Sequence, residues 1–239
     1  MVPVQDLIEQ TGAKAYLIEQ DLETLCAEGL IQRTAKGGVT LEDYHPEKSL
    51  EERSVEDQVD KAHLARLAAE KYVTDGMTLC IDASTTAQAI APFIARKKLT
   101  VITNGLSMVA DLRQLQFAGE IVCAGGHYRM KSNSVVGDPA CALIASHKAD
   151  LAILSIDVIS PRMQLMEAHP GEALVKRAMI QNARRAIVLA MPHKFGDGSL
   201  LTITTLADIE ALISTRFPDP QFAADAQAIG VRLECPGAR

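Results

Sequence analysis

From residue 77 onward, short apolar runs of strand length alternate with segments whose apolar positions recur at helical spacing. MTLCID precedes TTAQAIAPFIA, LTVIT precedes LSMVADLRQL, EIVCA precedes DPACALIASHK, and LAILSID precedes GEALVKRAMIQNA. AIVLAM, then EALIST with PQFAADAQAIG, and finally VRLEC complete the series. Runs that are apolar throughout belong to strands covered on both faces. The pattern therefore predicts an α/β domain with a mostly parallel, twisted sheet between layers of helices.

The first 40 residues have a different pattern. Helical periodicity appears in two short blocks, 4–10 and 14–28, broken at Thr11 and Gly12, and a glycine-punctuated stretch, IQRTAKGGV, comes next. That order predicts helix, turn, helix and wing. Residues 41–53 are polar, include Pro46 and lack periodicity, as a linker would. Ser54 and Asp57 have the spacing of a capping box, and Val55, Val59, Ala62, Ala65, Ala69 and Val73 then recur at helical spacing. A domain over 54–239 is thus expected to open on a connecting helix.

Composition narrows the class. With 239 residues, 48% of them hydrophobic, the chain is long enough for a substantial core and for one or two domains. It contains no apolar run near the roughly 18–20 residues of a membrane span, and MVPVQDLIEQ lacks a signal peptide's basic and apolar regions, so a soluble, cytoplasmic protein is expected. The net charge of −6 argues against a generally basic nucleic-acid coat, though not against a small DNA-binding head. Cys26, Cys80, Cys123, Cys141 and Cys235 are far apart, and three of them lie in apolar surroundings, which predicts reduced core cysteines. The six histidines show no ligand spacing with one another or with cysteine, so neither a metal nor a cofactor is expected.

Ligands of open parallel sheets sit beyond the carboxyl ends of the strands, where helix N-termini suit anions. Five polar junctions fall there. Asp82, Ser84, Thr85 and Thr86 come after MTLCID and open a helix; they suit a phosphate, with simple helix capping as the ordinary alternative. Thr103 and Asn104 end the second strand. Gly125 and Gly126 lead to Arg129, a fork of donors after the third. Lys194 comes after AIVLAM. Glu172 and Lys176 stand four apart on one helix, where an exposed stabilising pair is the commoner role.

The order DASTT, TVITNG, AGGHYR, GDPA, EALVKRAMI and HKFG resembles the sensor domain of DeoR/GlpR transcriptional regulators, from about Arg53 to the C-terminus. This family is related in fold to ribose-5-phosphate isomerase and coenzyme A transferases. The resemblance implies an effector site for a phosphorylated sugar or polyol. Asp82, Ser84, Thr85 and Thr86 would form the effector loop, Thr103 and Asn104 the Thr-Asn pair, and Gly125, Gly126 and Arg129 the Gly-Gly-x-x-Arg loop. Asp157, Glu172, Lys176 and Lys194 would supply the remaining polar positions. Two departures stand out. The family's Asp before its Ser-Lys-Phe lysine is replaced by Met191, and its Asp-Gly becomes Asp157-Val158.

Residues 1–40 likewise resemble the family's winged helix-turn-helix, with Leu7, Ile18, Leu22, Leu25, Gly29, Leu30 and Arg33 in matching places. Lys14, Tyr16, Gln20, Arg33 and Lys36 are the candidate DNA contacts. The family has a further helix ahead of the position of Val4, so the head is expected to be incomplete and to leave Leu7 and Leu22 short of packing partners. Where the family's recognition helix reads Ile-Arg-Arg-Asp, this chain reads Ile18-Glu19-Gln20-Asp21. Three cations, Lys14, Arg33 and Lys36, face six carboxylates, for a net −3 over residues 1–40. Phosphate contacts supply most non-specific affinity, so DNA binding is expected to be weak.

These readings favour a non-enzymatic regulator, expected to be a repressor of a carbohydrate operon, acting as a homo-oligomer on operator DNA and controlled by a phosphorylated effector, with no membrane partner. A sugar-phosphate isomerase is the alternative enzyme, with Glu172 or Asp157 as base beside Lys194. A protein-binding module, or an effector-binding protein without DNA affinity, is the third class.

Overall fold

The computed structural model describes residues 2–27, 32–33, 38–40, 48–197 and 201–237. The chain divides into two compact units, Met1–Glu47 and Lys48–Arg239. In the first, helix Val4–Thr11 ends at Gly12, whose φ of 66° lets its N–H return to the Ile8 carbonyl. Helix Ala15–Ala27 comes next, and Gln32–Arg33, Gly38–Thr40 and Val2–Pro3 form a small antiparallel sheet with Gly38–Thr40 in the middle. No periodicity or turn signal in the sequence marks the strand at Val2. Leu22 is buried, contrary to the expectation for an incomplete head, whereas Leu7 is half-buried.

The second unit is built on seven strands that we number along the chain: β1 (Thr78–Ile81), β2 (Thr100–Thr103), β3 (Glu120–Cys123), β4 (Leu151–Leu154), β5 (Ala186–Leu189), β6 (Ala211–Ile213) and β7 (Arg232–Glu234). All neighbours are parallel, in the order β3-β2-β1-β4-β5-β6-β7. Alternate residues of each strand feed opposite faces, as a period of two requires. Leu79, Ile81, Ile153 and Leu189 pack with Leu64, Ala68, Ile90 and Ile94 on one side; Cys80, Ala152, Leu154 and Val188 pack with Ile144, Val175 and Met179 on the other. The predicted doubly covered parallel sheet is thus present. Among the described residues no helix is long and apolar enough to cross a membrane.

Two additions were not legible as alternation. After β3 the chain makes an antiparallel hairpin, His127–Arg129 with Ser134–Val136. Val158–Ile159, Gln164–Glu167 and Leu201–Thr205 form a second antiparallel sheet.

The connecting helix differs from its sequence reading. Ser49, not Ser54, is the N-cap, reciprocated by Glu52, and helix Leu50–Val55 stops at Glu56. Asp57 has φ 51° and ψ 31°, a left-handed conformation that short polar residues tolerate, and a new helix, Gln58–Tyr72, begins after it. Val55 and Val59 therefore fall on either side of a joint and are 72% and 69% exposed. Residues 48–53, expected as linker, belong to this unit; residues 41–47 lie outside the described residues. The cysteines also differ. Cys80 is buried in β1, but Cys123 is exposed because β3 is an edge strand, Cys141 is half-buried and Cys235 is exposed; all four are free thiols. The side chain of Cys26 lies outside the described residues.

Candidate functional site

The strand order reverses between β1 and β4. Loops leaving those two strands run to opposite sides, and such a switch point opens a crevice at the carboxyl edge of a sheet. Asp82, the first residue past β1, is fully buried there. Its Oδ1 accepts the Ser84 hydroxyl and the Ser84 N–H (3.2 Å), while Oδ2 accepts the Ser155 N–H past β4 at 3.4 Å. One carboxylate thus staples both diverging loops. Ser84 in turn accepts the Ala87 N–H at 3.2 Å, so it caps helix Thr85–Gln88. The capping alternative is thus present, while first-turn amides such as those of Thr85 and Thr86 have no acceptor within a helix.

The exits of β2 and β3 close in from the other side. The Thr103 hydroxyl accepts the Gly105 N–H at 3.0 Å, and a Cβ on Gly105 would sit 2.9 Å from Ala83 Cα, so only glycine lets the first two exit loops touch. The buried Asn104 donates to the Val135 carbonyl (3.1 Å) and to Glu172 (3.4 Å), leaving its Oδ1 buried without a partner among the described residues. Gly126 has φ 146°, and a Cβ there would meet the Val136 carbonyl at 2.5 Å; Gly125 is open to solvent. Arg129 stands on the hairpin just beyond.

Helix Pro170–Asn182, capped by His169 Nδ1, supplies the two residues that hold these parts together. Glu172 Oε1 accepts the hydroxyls of Ser132 (2.9 Å) and Ser134 and pairs with Arg129 at 3.1 Å. Burial alone would push this carboxyl up, but Lys176, the two hydroxyls and Arg129 hold it below the ordinary value. Lys176 Nζ donates to the Ser155 carbonyl at 2.9 Å and pairs with Glu167 and, at 3.3 Å, with Asp82. Burial acts against its charge, and the surrounding carboxylates of Glu167, Asp82, Asp157 and Glu172 more than offset it. The exposed-pair alternative for Glu172 and Lys176 is therefore incorrect. Both side chains are buried, because this helix face lies over the strand exits, and they point to separate partner sets.

Asp157 accepts the Ala168 N–H at 3.0 Å and lies 3.8 Å from Lys194 Nζ. Burial would raise it, but the Glu167 hydrogen bond and the Lys176 and Lys194 charges keep it well below the usual carboxylate range. Glu167 moves the other way: burial, opposed by Lys176 and reinforced by Asp157, pushes it up to about 8. Of the two carboxyls, Glu167 is therefore the one that takes up a proton first as the pH falls. Sequence reading missed Glu167, which ends a strand whose other members are apolar or half-buried. It also missed Lys61, a buried lysine on helix Gln58–Tyr72 whose Nζ donates to Thr85 Oγ1 at 3.1 Å and to the Arg53 carbonyl.

The structure therefore brings Asn104, Arg129 and Glu172 into one polar set and Asp82, Ser84, Asp157, Lys176 and Lys194 into a second around Glu167, with Thr103 turned to the Gly105 N–H, Thr85 bonded to Lys61, Thr86 buried in the same turn, and Gly125 and Gly126 beginning the hairpin. In the first unit, Lys14, Tyr16 and Gln20 are exposed. The side chain of Arg33 and all of Lys36 lie outside the described residues.

Residues 56–216 match the family described as the DeoR C terminal sensor domain. Among curated proteins the chain is 28% identical to the glycerol-3-phosphate regulon repressor of Escherichia coli (strain K12), over 92% of this chain and 86% of that protein. It is 34% identical to the transcriptional repressor AccR of Agrobacterium fabrum, over 87% of this chain and 81% of that protein. Among solved structures it is similar to ribose 5-phosphate isomerase from Plasmodium falciparum, with 15% identity and a TM-score of 0.43 over 58% of this chain and 53% of that one. The match over 56–216, joined to the agreement along nearly the whole length of two repressors, places the chain in the DeoR family of regulators.

Proposed function

We propose that this chain is a DNA-binding transcriptional repressor of a carbohydrate-utilisation operon, and that a phosphorylated sugar or polyol bound at the carboxyl edge of its sheet controls it. The observation that carries the effector class is the set of cations, Lys61, Lys194 and Arg129, gathered around a hydroxyl-bearing helix start and a buried Asn104. Ammonium and guanidinium groups supply charge-assisted hydrogen bonds to a dianion, and the hydroxyls and amide suit a polyol. Kinship with repressors supports the regulatory role. Effector binding would change the arrangement of two or more heads in a homo-oligomer, a dimer or tetramer, in the cytoplasm. Titration calorimetry of a panel of sugar and polyol phosphates against their unphosphorylated parents tests the effector class. Tighter binding of the phosphates is expected, and equal or absent binding across the panel refutes the reading.

An isomerase reading is weaker on the same geometry. Glu172 is spent on hydrogen bonds from three side chains and an ion pair, and Asp157 is held low, so each is a poor general base. No catalytic residue is therefore assigned. The acidic first unit favours a second reading, in which the protein senses its effector but binds operator DNA weakly. Gel shifts on its own promoter region separate the two.

A further inference from the structure

Lys61 is the most exacting residue in the site. Only 6% exposed, its ammonium makes two hydrogen bonds, to Thr85 Oγ1 and the Arg53 carbonyl. Among the described residues no carboxylate oxygen lies within 4.0 Å of it. Asp57 and Glu56 favour its charge only from beyond ion-pair distance, and Glu56 is itself paired with Lys48. Its other charged neighbours, Lys194 and Arg53, are cations themselves. A buried ammonium without a direct ion pair is costly, and an anion at contact distance would offset that cost. Thr85, its hydroxyl partner, is the first residue of helix Thr85–Gln88, directly after the Ser84 cap.

We propose that Lys61 is the principal cation for the effector's phosphate, and that the same ammonium ties the bound phosphate to the Arg53 carbonyl, so that occupancy steadies helix Leu50–Val55. This rests on the phosphorylated-effector reading above. The helix is the first element of the sensor unit, entered from residues 41–47, so a ligand that holds its last turn acts where the chain arrives from the head. Lys61 is thus a shared contact: one end of its hydrogen bonding faces the effector loop, the other the connector.

Titration calorimetry of the full chain and of Lys61→Met, with inorganic phosphate, glycerol 3-phosphate and hexose phosphates as probes, tests the first half. Hydrogen exchange at the amides of 50–55, with and without the tightest probe, tests the second. Lys61→Met is expected to lose at least tenfold in affinity for the phosphorylated probe while the ligand-free protein melts at the same or a higher temperature, because a buried charge is gone. Protection of 50–55 should appear on ligand addition in the parent and be absent in the variant. Lys61→Gln, which keeps a donor without the charge, is expected to show the same loss of affinity and stands in if the Met variant misfolds. Binding by either variant within twofold of the parent overturns the proposal but leaves the effector class standing. A lowered melting temperature with lost binding marks Lys61 as structural and also overturns it. Unchanged exchange at 50–55 in the bound parent refutes the connector link. Failure of the parent to bind any phosphorylated probe refutes the effector reading itself.

Discussion

Replacing Glu172 by alanine isolates the bracing of the site from ligand contact. The carboxylate takes hydrogen bonds from Ser132, Ser134, Asn104 and Arg129, and its side chain is 8% exposed. Alanine takes the carboxylate away from a largely buried guanidinium, leaves two hydroxyls short of an acceptor and leaves the Asn104 amide with the Val135 carbonyl. Removing one partner of a buried ion pair costs about 3–5 kcal/mol, and the stranded neutral groups lie within that figure because they share one oxygen network. At roughly 2–4 °C per kcal/mol for a domain of this size, the melting temperature should fall by about 6–20 °C. Glu172→Gln keeps the shape and one acceptor, so it should cost less. The pH dependence gives a second check. Because the native carboxyl is held below its ordinary 4.5, its contribution is fully present above that value and is lost as the pH falls through the lower native one. Scanning calorimetry should show a large gap between parent and Glu172→Ala at pH 7, and a gap that narrows steadily as the pH is taken down below 4.5. A drop of less than 2 °C at pH 7 would show that the hairpin does not depend on Glu172.

Glu167 should produce the opposite pH trend. A carboxyl raised to about 8 in the native state opposes folding once ionised, so urea midpoints of the parent should decline between about pH 4.5 and 8, and Glu167→Gln should flatten that decline; parallel curves refute the assignment. Gly126→Ala should destabilise by at least about 1–3 kcal/mol in chemical unfolding, since φ 146° and the Val136 carbonyl both exclude a Cβ; a neutral result would mean the hairpin shifts freely. Arg129→Ala should lower stability as well as phosphate affinity, because it strands Glu172, whereas Lys194→Ala, with its side chain 23% exposed, should weaken phosphate binding with little loss of stability; calorimetry and melting together distinguish them. Glu19→Arg with Gln20→Arg should raise DNA affinity, most at low salt, and steepen its salt dependence in gel shifts; tight, steeply salt-dependent binding by the unmodified chain refutes the charge argument.

The strands and helices of the sensor unit were legible because each apolar run is covered on both faces and keeps one period. The hairpin after Gly126 was not, since its strands are three residues each and Tyr128 is exposed. Likewise, SLEE at 49–52 and SVED at 54–57 both satisfy a capping pattern, and only the left-handed Asp57 decides between them. Most of the polar site could be located from the residues at the carboxyl end of each strand. Lys61 could not, because a lysine beside Asp60 in the first turn of a helix reads as a solvated charge, and its significance depends on Thr85, 24 residues away. Glu167 is recognised only against Lys176.

The carboxylate of Asp82 has consequences for the order in which the molecule is assembled. Its partners are Ser155, 73 residues further along the chain, and Lys176, later still. Closing loops of that length is slow, so β1 and β2 can pair long before the acid at their edge has a cation to face. A nascent chain that ends before helix Pro170–Asn182 must keep Asp82 hydrated, and the middle of the sheet stays open to water until Lys176 arrives. For this protein, the acid at the switch point thus joins segments that enter the sheet far apart along the chain.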